Sequence, residues 1–271
     1  MLNRETLSEK YKVTLWGRKA KVPKAITINY IDGFALGKGI FGQSVDPSPF
    51  EGEVIIVEEQ VVIVQAKKNE FYIIDQTFMS QVPEVGDKIA VNPYFRKMFN
   101  GQRINSKHTQ LTQYMNGDCF EANSALLGGT ISHIPGNKVN NPQLKYLVDY
   151  LENTKLSDGY RSVTHMLFDA KATNFIAVDP VSESDPTEPS LQFTVDTAKF
   201  KGNVKIIAHE NDNNFFSPNQ FTVYLTDHAG SEQMLETDDK SLYKLLDEMI
   251  DDGSWNTIAV NIIKKAPKKR Q

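Results

Sequence analysis

Between Phe50 and Ile104 the chain has the grammar of a small closed barrel, and no other stretch limits the fold as tightly. Short β-branched or aromatic runs at Val54–Val57, Val61–Gln65, Phe71–Ile74 and Ile89–Val91 are separated by the turn-forming pairs Glu58-Glu59, Lys68-Asn69 and Gly86-Asp87. Turns this tight place sequential strands side by side, and a handful of short strands buries one face only by bending and closing. The expectation is an N-terminal small antiparallel β-barrel at 46–105. It holds no recognisable catalytic set, so a binding module is expected ahead of an enzyme.

At 271 residues and 40% hydrophobic content, the chain has room for one large or two ordinary domains with real cores. No apolar run approaches the roughly 18 residues that cross a bilayer. Lys10, Lys12, Arg18, Lys19, Lys21 and Lys24 interrupt every short apolar run near the N-terminus, which argues against a signal peptide there. A cytoplasmic protein is expected. The single cysteine, Cys119, agrees with this, since it can form neither an internal disulfide nor a cysteine-rich zinc site. In its Gly-Asp-Cys-Phe context it reads as a small packed side chain rather than a nucleophile.

The net charge is −4 and the pI about 5.8, yet the charge is unevenly spread. Residues 1–30 are basic, and Arg96, Lys97, Arg103 and Lys107 extend that character past the end of the barrel region. From Glu232 to Asp252 the sign reverses, with only Lys240 and Lys244 against a run of acids. The last residues, 264–271, form a basic tail that either attracts polyanions or an acidic neighbour, or serves as a solvated end.

The domain organisation follows from these shifts. Residues 1–45 read as a basic N-terminal arm or added strands, 46–105 as the barrel, and 106–140 as a polar connector with one short helix around Phe120–Leu127. Residues 141–263 read as an α+β domain. Asn141 caps a helix with Pro142 at its first position, and Leu144, Leu147, Val148 and Leu151 recur at helical spacing. A second helix is expected over Tyr160–Asp169 and a third over Lys240–Asp251. Strands are expected at Asn174–Val178, Leu191–Val195, Val204–Ala208 and Phe221–Leu225, with a final internal strand at Thr257–Ile263. The whole is α+β, the second domain having a mainly antiparallel sheet and about three helices.

Within the barrel region, Phe50 and Gly52, the strand ending at Val64-Gln65, Ile74-Asp75, the run Pro83-x-Val85-Gly86-Asp87-x-Ile89-x-Val91 and Tyr94 together resemble the KfrB-like domain. That family is a small β module of plasmid, conjugative-element and phage proteins. The resemblance covers residues 50–104 and departs from the pattern where Lys97-Met98-Phe99 lengthens the segment after Tyr94. It implies an accessory protein of a mobile genetic element, and it supplies no catalytic residues.

Sites of chemistry are sparse. The histidines His108, His133, His165, His209 and His228 are dispersed and lack zinc-binding spacing. His165 and Asp169 fall four apart on one expected helical face, which suits either a helix hydrogen bond or an imidazole–carboxylate pair. His209-Glu210 with Asp212 is a second such cluster, equally explained by turn chemistry. Gly37-x-Gly39-x-x-Gly42 has the letters of a dinucleotide loop without the strand-to-helix context that gives those letters meaning. No catalytic, metal or cofactor residues are assigned.

Two binding chemistries remain. Tyr94, Phe95, Arg96, Lys97, Phe99, Arg103 and Lys107 interleave aromatic and basic side chains in the way that small barrels use to bind DNA or RNA. Alternatively, Asp238, Asp239, Asp247, Glu248, Asp251 and Asp252 supply carboxylates for docking a protein, unless they merely form the solvated side of a helix with Leu242, Leu245, Leu246 and Ile250. The leading expectation is a non-enzymatic accessory protein of a mobile element that binds a host or element-encoded protein such as a defence or replication factor. Nucleic-acid binding is the alternative, and no membrane partner is expected.

Overall fold

Where β-branched residues run without interruption rather than alternating with polar ones, both faces of a sheet must be covered, and Val61–Val64 is such a run. A computed structural model describes residues 4–17, 26–33, 37–38, 44–104, 107–113, 119–125, 131–136, 138–180, 182, 186–209 and 219–267. Its elements are α1 (Arg4–Gly17), β1 (Thr27–Ile31), β2 (Gly37–Lys38), β3 (Ser44–Val45), β4 (Phe50–Val57), β5 (Val61–Lys67), β6 (Glu70–Asp75) and β7 (Lys88–Asn92). There follow β8 (Lys107–Gln113), β9 (Cys119–Ala125), α2 (Pro142–Asn153), α3 (Val163–Asp169), β10 (Thr173–Val178) and β11 (Ser190–Asp196). The chain ends with β12 (Lys201–Ala208), β13 (Gln220–Asp227), β14 (Glu232–Asp238), α4 (Leu242–Ile250) and β15 (Ala259–Lys264). Two compact units result: Met1–Phe95 with Trp255–Gln271, and Arg96–Ser254, which is inserted in sequence between Phe95 and Trp255.

The first unit is built on a six-stranded sheet in the order β1-β6-β5-β4-β7-β15. All its pairs are antiparallel except β1 with β6. Val61–Val64 is buried throughout because each face has its own cover. On one side Val62, Val64, Ile74, Ile89 and Val91 pack with Ile258 and Val260. On the other, Ile55, Ile63, Phe71 and Ile73 receive Tyr11 and Leu15 of α1.

The expected barrel strands are all present, but among the described residues no ladder joins β1 to β15, and a closed barrel is not found. A single parallel bridge, Met79 to Ile258, ties the segment after β6 to the lead of β15, with Ser80 N donating to Ile258 O at 2.9 Å. The physical reason lies in α1 and β15. They cover apolar surface that strands this short would otherwise bury by closing on themselves.

Where β4 crosses β5, Gly52 is the residue that lets the strands approach: a Cβ there would stand 2.6 Å from Gln65 O and 2.6 Å from Val64 Cγ1. Both neighbours belong to a paired, buried strand and have no room to move aside. Gly52→Ala is therefore expected to lower stability by about 1–3 kcal/mol, read as a drop in the urea midpoint at unchanged slope.

The second unit is an antiparallel meander, β10-β11-β12-β13-β14, in which every strand pairs with its neighbour in sequence. Leu191, Phe193, Val204, Ile206, Phe221 and Val223 alternate onto one face and pack against α2, α3 and α4 through Leu144, Leu147, Leu151, Met166, Leu246 and Ile250. Asn141 caps α2 as expected, its side chain accepting from Gln143 N and Leu144 N, with Pro142 at the first position. β8 and β9 form a separate two-stranded hairpin.

Several expectations need correction. The arm at 1–45 contributes a helix, α1, as well as an added strand, β1. The short helix expected around Phe120–Leu127 is replaced by β9, whose seven residues pair in register with β8, so a partner strand takes the hydrogen bonds that a helical turn would have made internally. The final strand is not an internal strand of the second sheet. β15 lies at the edge of the first sheet beside β7, with Ile263 49% exposed. The root of the basic tail is docked too, since Ala266 N donates to Asp87 Oδ1 at 2.7 Å, while Lys268, Lys269, Arg270 and Gln271 lie outside the described residues.

No helix among the described residues is long and apolar enough to cross a membrane.

Candidate functional site

The helices cover one face of the five-stranded sheet, and the alternation that buries Phe193 and Val204 turns the residues between them the other way. The pairing registers align these into rows running across the strands. The central row is Ile176, Gln192, Lys205, Tyr224 and Met234, one residue from each of β10 to β14. Thr194, Asn203, Thr226 and Glu232 form the row beside it. Ser190, Ile207 and Thr222 form the row on the other side, and they are buried. There His209 Nε2 meets Thr222 Oγ1 at 2.7 Å, and Ser190 Oγ has no hydrogen-bond partner among the described residues.

The central row from Ile176 to Tyr224, with Thr194, Asn203, Thr226 and Glu232 beside it, floors a concavity of about 580 Å³, and Met234 is not part of its lining. Ile176 and Met234, at opposite ends of the central row, are each 56% exposed. Lys205 Nζ lies 6.0 Å from the centre of the Tyr224 ring, and among the described residues neither side chain is engaged by a hydrogen bond. The amides of Gln192 and Asn203 are likewise uncommitted among the described residues. Asn174, at the concavity's edge, is held in the left-handed region at φ 56° and donates from Nδ2 to Thr194 Oγ1 at 3.2 Å. Lys205 is balanced by Glu188 and Glu232, so the surface is one of amides, hydroxyls and an aromatic ring with apolar ends, and it carries no excess of positive charge.

The basic and aromatic candidates are largely committed inside the protein. Arg96 is buried, its guanidinium 4.7 Å from the Tyr160 ring centre and donating to Tyr160 O. Lys97 Nζ lies 5.8 Å from the Phe168 ring, and Phe99 packs edge-on against Phe168 and Phe175. Tyr94 packs edge-on against Trp255 at 4.7 Å, within the first unit. Phe95 and Arg103 are half-buried, Arg103 pairing with Lys97 through an isolated bridge. Lys107 begins β8, and its side chain lies outside what is described.

Most of the acidic candidates serve local structure. Asp238 accepts from Lys240 N and Asp239 from Tyr146 Oη. Asp252 accepts from Ala198 N and Ser254 N, and a hydrogen bond from the Ser254 side chain, followed by those two amides, holds its carboxyl below the usual carboxylate range. Asp251 pairs with Arg161. Asp247 is half-buried, and burial, followed by the charge of Asp251, pushes its carboxyl up. Glu248 alone of the six is exposed.

The expected His165–Asp169 relation resolves into two separate roles. Asp169 turns to the guanidinium of Arg161, which is buried and also reaches Asp158 at 3.0 Å and Asp251. His165 Nδ1 accepts from Ser162 N at 3.0 Å, a capping box at the start of α3. Since Nδ1 is an acceptor, the proton of the neutral ring sits on Nε2, which is buried without a partner among the described residues. Burial, then Arg96 and Arg161, push the His165 pKa down to about 3. An imidazole that stays neutral throughout the physiological range, with one nitrogen spent on a helix cap, is a structural group.

Among the described residues no cluster of three or more His, Cys, Asp or Glu is arranged to hold a metal. Gly37 lies in β2, which pairs antiparallel with β3 and leads into another strand and not into a helix, while Gly39 and Gly42 lie outside the described residues. Glu210 and Asp212 lie outside the described residues, as does the side chain of Cys119.

No family model matches the chain, and neither the curated proteins nor the solved structures contain a match to it. The open face was missed in the sequence because its signal is diffuse. It consists of the outward residues of strands identified by their inward ones, and its fifth strand, β14, has the sequence EQMLETD and too little apolar content to read as a strand at all.

Proposed function

We propose that this chain is a non-enzymatic binding protein that acts by protein contact, with the open face of the five-stranded sheet as its docking surface. The observation that carries the reading is the central row, Ile176 to Met234, which crosses all five strands with apolar ends, a ring and a lysine, and is covered by no helix among the described residues. Surfaces that are apolar at some points and hydrogen-bonding at others suit a protein partner. The role of an accessory factor of a mobile genetic element, engaging a host or element-encoded protein in defence or replication, rests on the resemblance at residues 50–104.

Nucleic-acid binding has less support, because Arg96 and Phe99 are packed inside and the concavity has more acids than bases. Affinity capture with the intact chain from cells that carry a mobile element separates the two. The expected result is a protein partner that survives nuclease treatment and is lost on Ile176→Asp with Tyr224→Ala. Recovery of nucleic acid alone, released by nuclease, would overturn the reading.

A further inference from the structure

The two outer strands of the second sheet end it in different ways. β10 is interrupted by a register shift between Thr173 and Ile176, with Asn174 in the left-handed region, a bulge of the kind that blunts an edge against further pairing. β14 has no such device. It pairs with β13 through seven consecutive residues without a shift, contains neither proline nor lysine, and has no partner on its outer side among the described residues.

The hydrogen bonds that bracket this ladder fix which backbone groups face outward. Asp227 N donates to Ser231 O, and Asp239 N to Asn219 O. Residues opposite one another in an antiparallel ladder alternate between bonded and non-bonded pairs. Gln233, Leu235 and Thr237 therefore direct their N–H and C=O groups to β13, and Glu232, Met234 and Glu236 direct theirs to the free edge. The side chains of these last three stand opposite Thr226, Tyr224 and Thr222, on the open face. An added strand would continue the rows of the docking surface.

We propose that the edge of β14 accepts an extended basic segment of a partner protein as a sixth, antiparallel strand, with cationic side chains opposite Glu232 and Glu236 and an apolar one opposite Met234. The inference rests on the protein-binding reading above and names the chemistry of the partner. Charge decides against a second copy of this chain. Self-pairing centred on Met234 sets Glu232 against Glu236 of the other copy twice, and centring on Leu235 sets Glu232 against Asp238. Like charges directly opposite on adjacent strands are destabilising, whereas a cation at those positions is favoured, and main-chain bonds along the edge supply affinity.

The test uses the full chain and a fluorescent seven-residue peptide with arginine at its second and sixth positions, valine at the fourth and threonine elsewhere, read by anisotropy at low salt. The expected result is saturable binding. N-methylation of the valine, which removes the N–H donated to Met234 O, weakens binding about tenfold or more, as does replacing both arginines by glutamate. Met234→Thr keeps the outward N–H but loses the apolar contact and binds more weakly than the parent, while Met234→Pro removes the N–H as well and does not bind.

Binding unaffected by N-methylation would overturn the proposal, as would equal binding of the acidic peptide or no binding at millimolar peptide. The peptide comparisons use the unmodified chain, so they hold even if the proline variant fails to fold. A cellular partner lost on Ile176→Asp but retained by a folded Met234→Pro would overturn the edge assignment and leave the protein-binding reading standing.

Discussion

Arg161→Ala is expected to destabilise the second unit by about 3–5 kcal/mol, the usual cost of removing one partner from a buried ionic group. The guanidinium is 4% exposed and is shared by carboxylates from three places: Asp158 in the turn before α3, Asp169 at the end of α3, and Asp251 at the C-terminal cap of α4. Truncation leaves these acids facing one another in a site that water barely enters, with Asp247 alongside.

The sign of the pH dependence follows from Asp247. Its carboxyl is raised by burial and by Asp251, and Arg161 is what pulls it down, so it rises further in the variant. A carboxyl whose folded pKa lies above its unfolded one makes the folded state more stable as pH falls through that folded pKa. The deficit of the variant against the parent should therefore be largest at neutral pH and shrink in mild acid. Urea midpoints across pH check both points, and a loss below about 1 kcal/mol at pH 7 would mean that the three acids reorganise at little cost. Arg161→Lys, with a point charge in place of a planar fork, should fall between parent and alanine.

This network shows where sequence reading stops. Asp251 was legible as one acid among several near the end of α4, because Leu242, Leu246 and Ile250 mark the apolar side of that helix and leave the acids on the other. That Arg161, some ninety residues earlier, collects it together with Asp158 and Asp169 is a fact of tertiary packing with no local signal. The same holds for Arg96 and Phe99. In the sequence they look like an exposed basic and aromatic run, but Tyr160 and Phe168 take up their faces.

The fold was legible wherever burial is strict. β4 to β7, α2 and β10 to β13 all announce themselves through apolar periodicity or a cap, since each must place specific side chains in a core. β14 and β8 escaped because an edge strand or a two-stranded hairpin needs little burial to form, and polar residues satisfy it. The bounds of the first unit were hidden for a different reason: β15 reads as a strand, but nothing in its sequence says that it pairs with β7, well over a hundred residues away.

The helix at the N-terminus carries the second large effect. Its sequence, RETLSEKYKVTLWG, is mostly polar and reads as a basic arm, yet Leu15 is completely buried and Tyr11 nearly so, both against Ile63, Phe71 and Ile73. Leu15→Ala should cost about 2–5 kcal/mol, the range for deleting a large aliphatic side chain from a closed core, and denaturant titration of the full chain measures it. Polar contacts position the helix: Arg4 grips buried Asp32 through two bonds of 2.8 and 2.6 Å, and Tyr11 Oη donates to Glu58. Lys10 also reaches Glu58, but from a solvated surface where an ion pair contributes little, so Lys10→Ala should leave the midpoint near that of the parent. Removing residues 1–25 would uncover the sheet face at Ile55, Ile63, Phe71 and Ile73, and aggregation is the expected outcome. A Leu15→Ala protein as stable as the parent would instead mean that the face beneath α1 is open in solution. The first unit would then hold a docking surface of its own, apolar where the face in the second unit is polar.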